Sequence, residues 1–416
     1  ENFHLYAIDA VTLGAAARDL TPFDGAKAQN VILNKRYPDT LLVAVNNRDP
    51  TKFDMYRCMI STGELTLDTE NPGDVVGWGA EDESFEIRVA QAVLADSSSV
   101  VRVRDSSDSA WRGLITFPYG EEGQMVEFSR DAKSAYVLSS LGRETTALLR
   151  LDVATGEVLE EIASSELCNC GGILVDDDTK EVLAVSFNYA RTERTFFDAE
   201  FEADFKAVEA AGPGGAEVSL LGLTRDKQTW VVSYRRDDGP TQFSIFEKAS
   251  KSVRPLFVSA PALLEYKLAP MKDVRIQARD GLELVGYLTR ADAARPTPLV
   301  LMVHGGPWAR DFWGFNAAAQ WLANRGYAVL QVNYRGSSGY SKTFLHKGDT
   351  QWGVGDMQHD LSDAVEWAIE QGIAEADKVC IYGGSYGGYA CLAGLAFTPQ
   401  LYACGVDIVG PSNIKT

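Results

Sequence analysis

The chain predicts two unlike parts: an all-β repeat region over residues 1–261, and strands alternating with helices over residues 262–416. Three observations carry this reading. First, a turn bearing an aspartate recurs before an apolar strand. Phe128 to Asp131 leads into Ala135–Ser139, Val175 to Asp178 into Val182–Ser186, and Leu223 to Asp226 into Thr229–Ser233. Pro38-Asp39 before Leu41–Ala44 fits one step earlier, and the spacing of roughly 47 residues suits four-stranded propeller blades. Second, alternating strands recur out of phase with these turns, at Leu5–Asp9, Asp54–Cys58 and Leu148–Asp152. The last two run into Thr62-Gly63-Glu64 and Thr155-Gly156-Glu157, the sign of half-buried antiparallel strands closed by glycine turns. Small sheets that each bury a face on the next give a β-propeller. Third, beyond Ala262 continuous apolar strands alternate with amphipathic stretches, which implies a mostly parallel sheet covered by helices on both faces.

The repeat region holds about five and a half periods. A closed ring needs a whole number of blades. The expectation is therefore an incomplete propeller of about five to six blades, either open or with its first blade or two before Glu1. In the second part, Val274–Ala278 and Leu282–Leu288 read as a hairpin around Arg279-Asp280-Gly281. Strands follow at Leu299–Val303, Ala328–Val332, Val379–Tyr382 and Cys404–Val409. Ala317–Asn324 reads as a helix stopped by Gly326. Met357, Leu361, Val365 and Ala368 recur at helical spacing and predict a helix over Asp356–Gln371.

A chain of 416 residues is too long for one ordinary core. Its net charge of −19 argues against a nucleic-acid surface, which would need clustered Lys and Arg. It has no run of about 18 apolar residues, so no membrane span is expected, and the compartment (cytoplasmic or periplasmic) is not legible. The six cysteines, Cys58, Cys168, Cys170, Cys380, Cys391 and Cys404, match no disulfide or zinc pattern. Cys168-Asn169-Cys170 has no second pair or nearby histidine to complete a metal site. Cys380 and Cys404 lie in apolar runs and are expected to be buried. No metal or other cofactor is expected.

The residues with chemistry cluster in the second part. Gly383-Gly384-Ser385-Tyr386-Gly387 follows the Val379 strand and precedes a helix-like stretch, Ala390–Phe397. Strand, G-x-S-x-G, then helix is the nucleophile elbow of the α/β-hydrolase fold, and it makes Ser385 the candidate nucleophile. His304-Gly305-Gly306-Pro307 follows the Leu299 strand, where this fold supplies an oxyanion donor. The backbone N–H groups of Tyr386 and Gly306 are the candidate donors, with Gly305 the alternative to Gly306. Trp308 and Arg310 are candidate substrate-binding residues, beside Phe312 and Trp313.

A serine hydroxyl is weak until a base takes its proton. In this fold the triad acid and histidine follow the serine, yet no histidine follows Ser385. His304 precedes it and reads as a brace for its loop; His4, His346 and His359 read as surface or packing residues. Arg335, in the loop Asn333–Tyr340, reads as the partner of Asp356 or Asp360. Asp176-Asp177-Asp178 reads as a solvated hairpin turn.

Taken together, His304–Pro307, Asn333–Tyr340, Asp356–Asp360, Leu322–Tyr327 and Gly383–Tyr389 resemble the prolyl oligopeptidase family of serine peptidases. The resemblance is to its acylaminoacyl-peptidase and dipeptidyl-aminopeptidase-like branch and is strong over about residues 270–413. It implies hydrolysis of short peptides through an acyl-enzyme on Ser385, with the propeller excluding folded proteins. It also implies a catalytic Asp and His beyond Thr416, on a further segment or a second polypeptide. On that reading the α/β-hydrolase domain lacks its last strands and the chain is truncated at both ends. No Glu-Glu motif of the dipeptidyl-peptidase-IV type is recognised in the blades, which argues against amino-terminal dipeptide specificity. A carboxylesterase on the same scaffold, and a non-catalytic propeller interaction module, are the competing readings; homo-oligomerisation is left open.

Overall fold

The structure, a computed structural model, describes residues 3–12, 14–291 and 294–413. Five small antiparallel sheets succeed one another from Ala28 to Val258, spanning residues 28–69, 75–117, 123–163, 170–196 and 217–258. Four have four strands and the fourth has three, and in every sheet neighbouring strands are consecutive in the chain. These are the blades of a β-propeller. A two-stranded pair, Tyr6–Ala7 with Arg18–Asp19, precedes them.

In the third and fifth blades the recurring aspartate is a turn-former between the first two strands, whereas Asp39 of the first blade accepts from Ser61 and Asn34 bonds the turn there. Asp131 Oδ1 accepts from the Lys133 N–H (3.1 Å) and the Ser129 hydroxyl (2.9 Å), holding Ala132 at φ 53°. Asp226 Oδ1 accepts from the Gln228 N–H (3.1 Å) and the Thr224 hydroxyl (2.6 Å), holding Lys227 at φ 58°. Side-chain oxygens that bond the backbone two residues on are what make Asp a turn residue.

One helix interrupts the blades, where the sequence was read as strands and turns only. Ala199–Ala211 follows the third strand of the fourth blade. Asp198 caps it by accepting from the Phe201 N–H (2.7 Å). Phe201, Phe205 and Val208, spaced four and three residues apart, are buried on one face, and Phe201 stacks on Trp230. With no Gly or Pro across 13 residues, the segment has nothing to break it.

The sheet type changes between Val258 and Met271. The last sheet runs in the order Met271–Gln277, Glu283–Thr289, Ala328–Asn333, Thr297–Val303, Ala374–Gly384, Cys404–Ile408. Its first three strands pair antiparallel and the rest parallel. The helices Ala317–Ala323, Asp356–Glu370 and Tyr386–Phe397 follow its strands, the first ending before Gly326 at φ 92°. This is the α/β-hydrolase arrangement. Among the described residues no helix is long and apolar enough to cross a membrane.

By compactness the chain divides elsewhere, into residues 1–164 with 177–181, and residues 165–176 with 182–416. The second unit joins the last two blades to the hydrolase sheet. Ala190 belongs to the sheet's own apolar core, and the buried Tyr287 hydroxyl donates to its carbonyl (3.0 Å). The Arg191 guanidinium lies 3.4 Å from the Trp313 ring centroid, and the Phe315 N–H donates to the Arg236 carbonyl (2.7 Å). One expectation fails here. Cys404 is exposed and Cys380 only partly buried, because the Cys404–Ile408 strand is an edge strand among the described residues.

Candidate active site

The elbow is built by the end of the strand Ala374–Gly384, the single residue Ser385, and the helix that opens at Tyr386. Ser385 has φ 57° and ψ −121°, a conformation a non-glycine residue holds at about 1–3 kcal/mol. Its N–H donates to the Ile408 carbonyl (2.9 Å), which fixes the turn to the neighbouring strand. Both motif glycines are dictated by packing. A Cβ on Gly383 would stand 2.4 Å from the backbone of Gly387, and one on Gly387 would stand 2.1 Å from the Val303 carbonyl oxygen. The serine side chain is left exposed.

The His304 loop reaches the elbow directly. A Cβ on Gly305 would lie 2.8 Å from the Gly384 oxygen and 3.2 Å from Ser385 Cβ. Gly306 follows at φ 50°, and its N–H makes no backbone bond among the described residues. Tyr386 is the first residue of its helix, so its N–H is one of those with no acceptor within the helix. Tyr386 thus follows Ser385 in the chain, and Gly306 follows the glycine packed on Ser385 Cβ. Backbone donors of this kind can stabilise a developing oxyanion.

His304 is held away from the serine. Its Nε2 lies 3.0 Å from the Ser337 hydroxyl, which itself donates to the Tyr334 carbonyl (2.6 Å). Its Nδ1 lies 3.2 Å from the Gly305 carbonyl oxygen, so both ring nitrogens are engaged within the loops. The ring stacks on Tyr334 at 4.4 Å, and Tyr334 stacks on Tyr386. Burial holds the imidazole down, to a pKa of about 4, so it is neutral at pH 7. The other histidines sit beside carboxylates, His4 by Asp19, His346 by Asp349 and His359 by Asp356. Among the described residues no histidine hydrogen-bonds Ser385.

A depressed histidine makes folding sensitive to acid. Between pH 6.5 and about 4 the folded protein binds fewer protons at His304 than the unfolded chain, so stability falls as pH falls, by up to about 3 kcal/mol. Asp311 works in the opposite sense. Burial raises it from 3.8 to about 6, so its contribution is present at low pH and is lost as pH rises through that range. The two blunt each other in the native protein, and a variant separates them. His304→Gln is expected to lie furthest below the native protein in stability above pH 6.5, with the gap closing towards pH 4. Urea denaturation at a series of pH values checks this; a gap independent of pH would contradict it.

Trp308 is exposed beside the loop, whereas Trp313 is buried and donates its indole N–H to the Met271 carbonyl (3.1 Å). Arg310 acts as a clamp. Its guanidinium donates to the carbonyls of Asn188 (2.8 Å) and Tyr189 (2.9 Å) and to the Tyr340 hydroxyl (2.8 Å), and lies over the rings of Phe312 and Tyr340. Arg335 pairs with Asp360, Asp356 and also Asp280. Asn333 was missed at the sequence level. Its side chain accepts from the Asp311 N–H (2.7 Å) and donates to the Asp311 carbonyl and the Tyr340 hydroxyl, tying two loops together. Asp176 pairs with Lys227, and Asp177 with Lys35.

Comparison with known proteins agrees with the fold. Residues 313–416 match the prolyl oligopeptidase family. The whole chain is 41% identical to a dipeptidyl aminopeptidase BIII of Pseudoxanthomonas mexicana, of which it spans 61%. Over 92% of its length it is 28% identical to dipeptidyl peptidase family member 6 of Caenorhabditis elegans, of which it spans 56%. A puromycin hydrolase structure superposes with a TM-score of 0.76 over 98% of this chain and 66% of that one; at 18% identity this shows the fold alone. Adjacent glutamates do occur in the blades, at Glu121-Glu122 and Glu160-Glu161, which weakens the argument from a missing Glu-Glu motif. In residues 313–416, behind the sequence of a β-propeller, the chain carries the prolyl oligopeptidase family's α/β-hydrolase segment.

Proposed function

We propose that the protein is a serine peptidase that hydrolyses short peptides through an acyl-enzyme on Ser385. The observation that supports it most is the elbow: a serine at φ 57° with the Gly305 loop packed against its Cβ. In this reading Ser385 Oγ attacks the scissile carbonyl carbon while a histidine takes its proton. The carbonyl oxygen becomes an oxyanion held by the N–H groups of Tyr386 and Gly306. Collapse breaks the C–N bond, the amine leaves with the histidine's proton, and water then hydrolyses the ester. The proposal places the histidine and its aspartate beyond Thr416, or on a second polypeptide.

Release of dipeptides is the favoured specificity, since the relatives at 41% and 28% identity are named for dipeptidyl peptidase activity. Exclusion of nucleic acid and of a membrane partner is kept from the sequence, on the strength of the net charge of −19 and the absence of a long apolar run. The deciding experiment compares a dipeptide anilide with a simple aryl ester, using the full-length protein. Turnover of the anilide at a kcat/KM within about tenfold of the ester supports the peptidase. Turnover of the ester alone would make it an esterase, and turnover of neither would leave a binding module.

A further inference from the structure

We propose that the space between the fourth and fifth blades is a binding site for an apolar amino acid carrying a free carboxylate, such as the C-terminal residue of a peptide. A cavity of about 210 Å³ lies there, within the second compact unit. Gly172, Ile173 and Leu174 line it from the first strand of the fourth blade, Ala184, Val185 and Ser186 from its second strand, and Ser219 and Leu220 from the fifth blade.

The cation on its wall is Arg194. Its Nη2 donates to the Val218 carbonyl (2.6 Å), and its guanidinium lies 4.8 Å from the Phe205 ring centroid. Among the described residues no carboxylate lies within ion-pair distance of it. Glu217, nearby in the chain's fold, is engaged by Arg191 (3.0 Å) and Thr192 (3.1 Å). Burial pulls the guanidinium below its ordinary range, outweighing the opposite pull of the Glu209 and Glu217 charges. A desolvated arginine with free N–H groups is the usual receptor for a carboxylate, because its planar fork matches two oxygens.

The rest of the wall fits the remainder of such a ligand. Ile173, Leu174, Val185 and Leu220 give an apolar lining large enough for one side chain. The strand Cys170–Val175 is irregular at this point, its register shifting between Cys170 and Ile173. Gly171 and Gly172 sit in that shift, where the Ser186 hydroxyl bonds both the N–H (2.9 Å) and the carbonyl (3.1 Å) of Gly172. Ser186 keeps Gly172 a glycine, since a Cβ there would stand 2.9 Å from its hydroxyl oxygen. Bulges of this kind gather beside binding sites. Only the choice of a peptide as the carboxylate's carrier rests on the peptidase reading, and the test needs no turnover.

Binding of N-acetyl-leucine, N-acetyl-leucinamide and acetate is measured by calorimetry on the full-length protein and on Arg194→Gln and Arg194→Lys. The acid is expected to bind about tenfold or more tightly than the amide, acetate more weakly than the acid, and Arg194→Gln is expected to abolish the difference while Arg194→Lys keeps part of it. Equal binding of acid and amide, no binding of either, or an undiminished difference in Arg194→Gln would overturn the proposal. Acetate binding as tightly as N-acetyl-leucine would also overturn it, by showing a site for small anions only. If Arg194→Gln does not fold, Arg194→Lys and the acid–amide comparison on the native protein still decide.

Discussion

Ser385→Ala in the full-length protein is expected to lower kcat/KM for a peptide anilide by roughly 10⁵- to 10⁶-fold, with KM little changed. In the proposed mechanism Ser385 Oγ is the atom that attacks the reacting carbon. Ser337, the serine that meets His304, has its proton committed to the Tyr334 carbonyl. The fold should survive the change, because the exposed side chain makes no hydrogen bond among the described residues, while the N–H that fixes the turn remains. Loss of labelling by a fluorophosphonate probe should accompany the loss of rate. Activity within tenfold of native would remove Ser385 from the mechanism. The same substitution in residues 1–416 alone is expected to change almost nothing. A large loss there would show that the base lies within this chain.

The second large effect concerns stability. Arg335→Leu is expected to destabilise the unit containing residues 182–416 by about 3–5 kcal/mol. Asp360 is fully buried and receives three bonds from Arg335, from its N–H (2.8 Å), Nε (2.9 Å) and Nη2 (2.7 Å). Leucine leaves only the backbone bond, and a buried carboxylate then lacks its counter-charge. Burial already raises the Asp360 carboxyl, so in the variant it should take up a proton more readily. Pairing Arg335→Leu with Asp360→Leu should recover much of the loss, since the uncompensated charge, rather than the missing attraction, is what destabilises. Urea denaturation of the single and double variants checks this; a single variant within 1 kcal/mol of native would refute it.

What could be read from the sequence follows from how local each constraint is. The elbow was legible because the clashes that force Gly383 and Gly387 lie within one turn and the facing strand. Blade turns were legible where an aspartate makes them. The second blade escaped the repeat because Glu81 does the same work there, accepting from the N–H groups of Glu83 and Ser84 (both 2.8 Å) and leaving Phe85 at φ 54°. The helix Ala199–Ala211 was lost to the expectation of a fourth strand, although its cap and its Phe201, Phe205, Val208 spacing were present. The Arg310 clamp was illegible for a different reason. Its acceptors lie 122 and 121 residues away, and backbone carbonyls carry no sequence signature.

The shared core of the last two blades and the hydrolase sheet bears on how this protein can be taken apart. A cut near residue 261 follows the change of sheet type, but it strips Tyr287 and Trp313 of the covering they receive from Ala190 and Arg191. Recombinant fragments or chimeras that graft the hydrolase part onto another propeller would have to carry residues 165–176 and 182–258 with it, so the last two blades are inherited with the hydrolase sheet rather than exchanged as interchangeable modules.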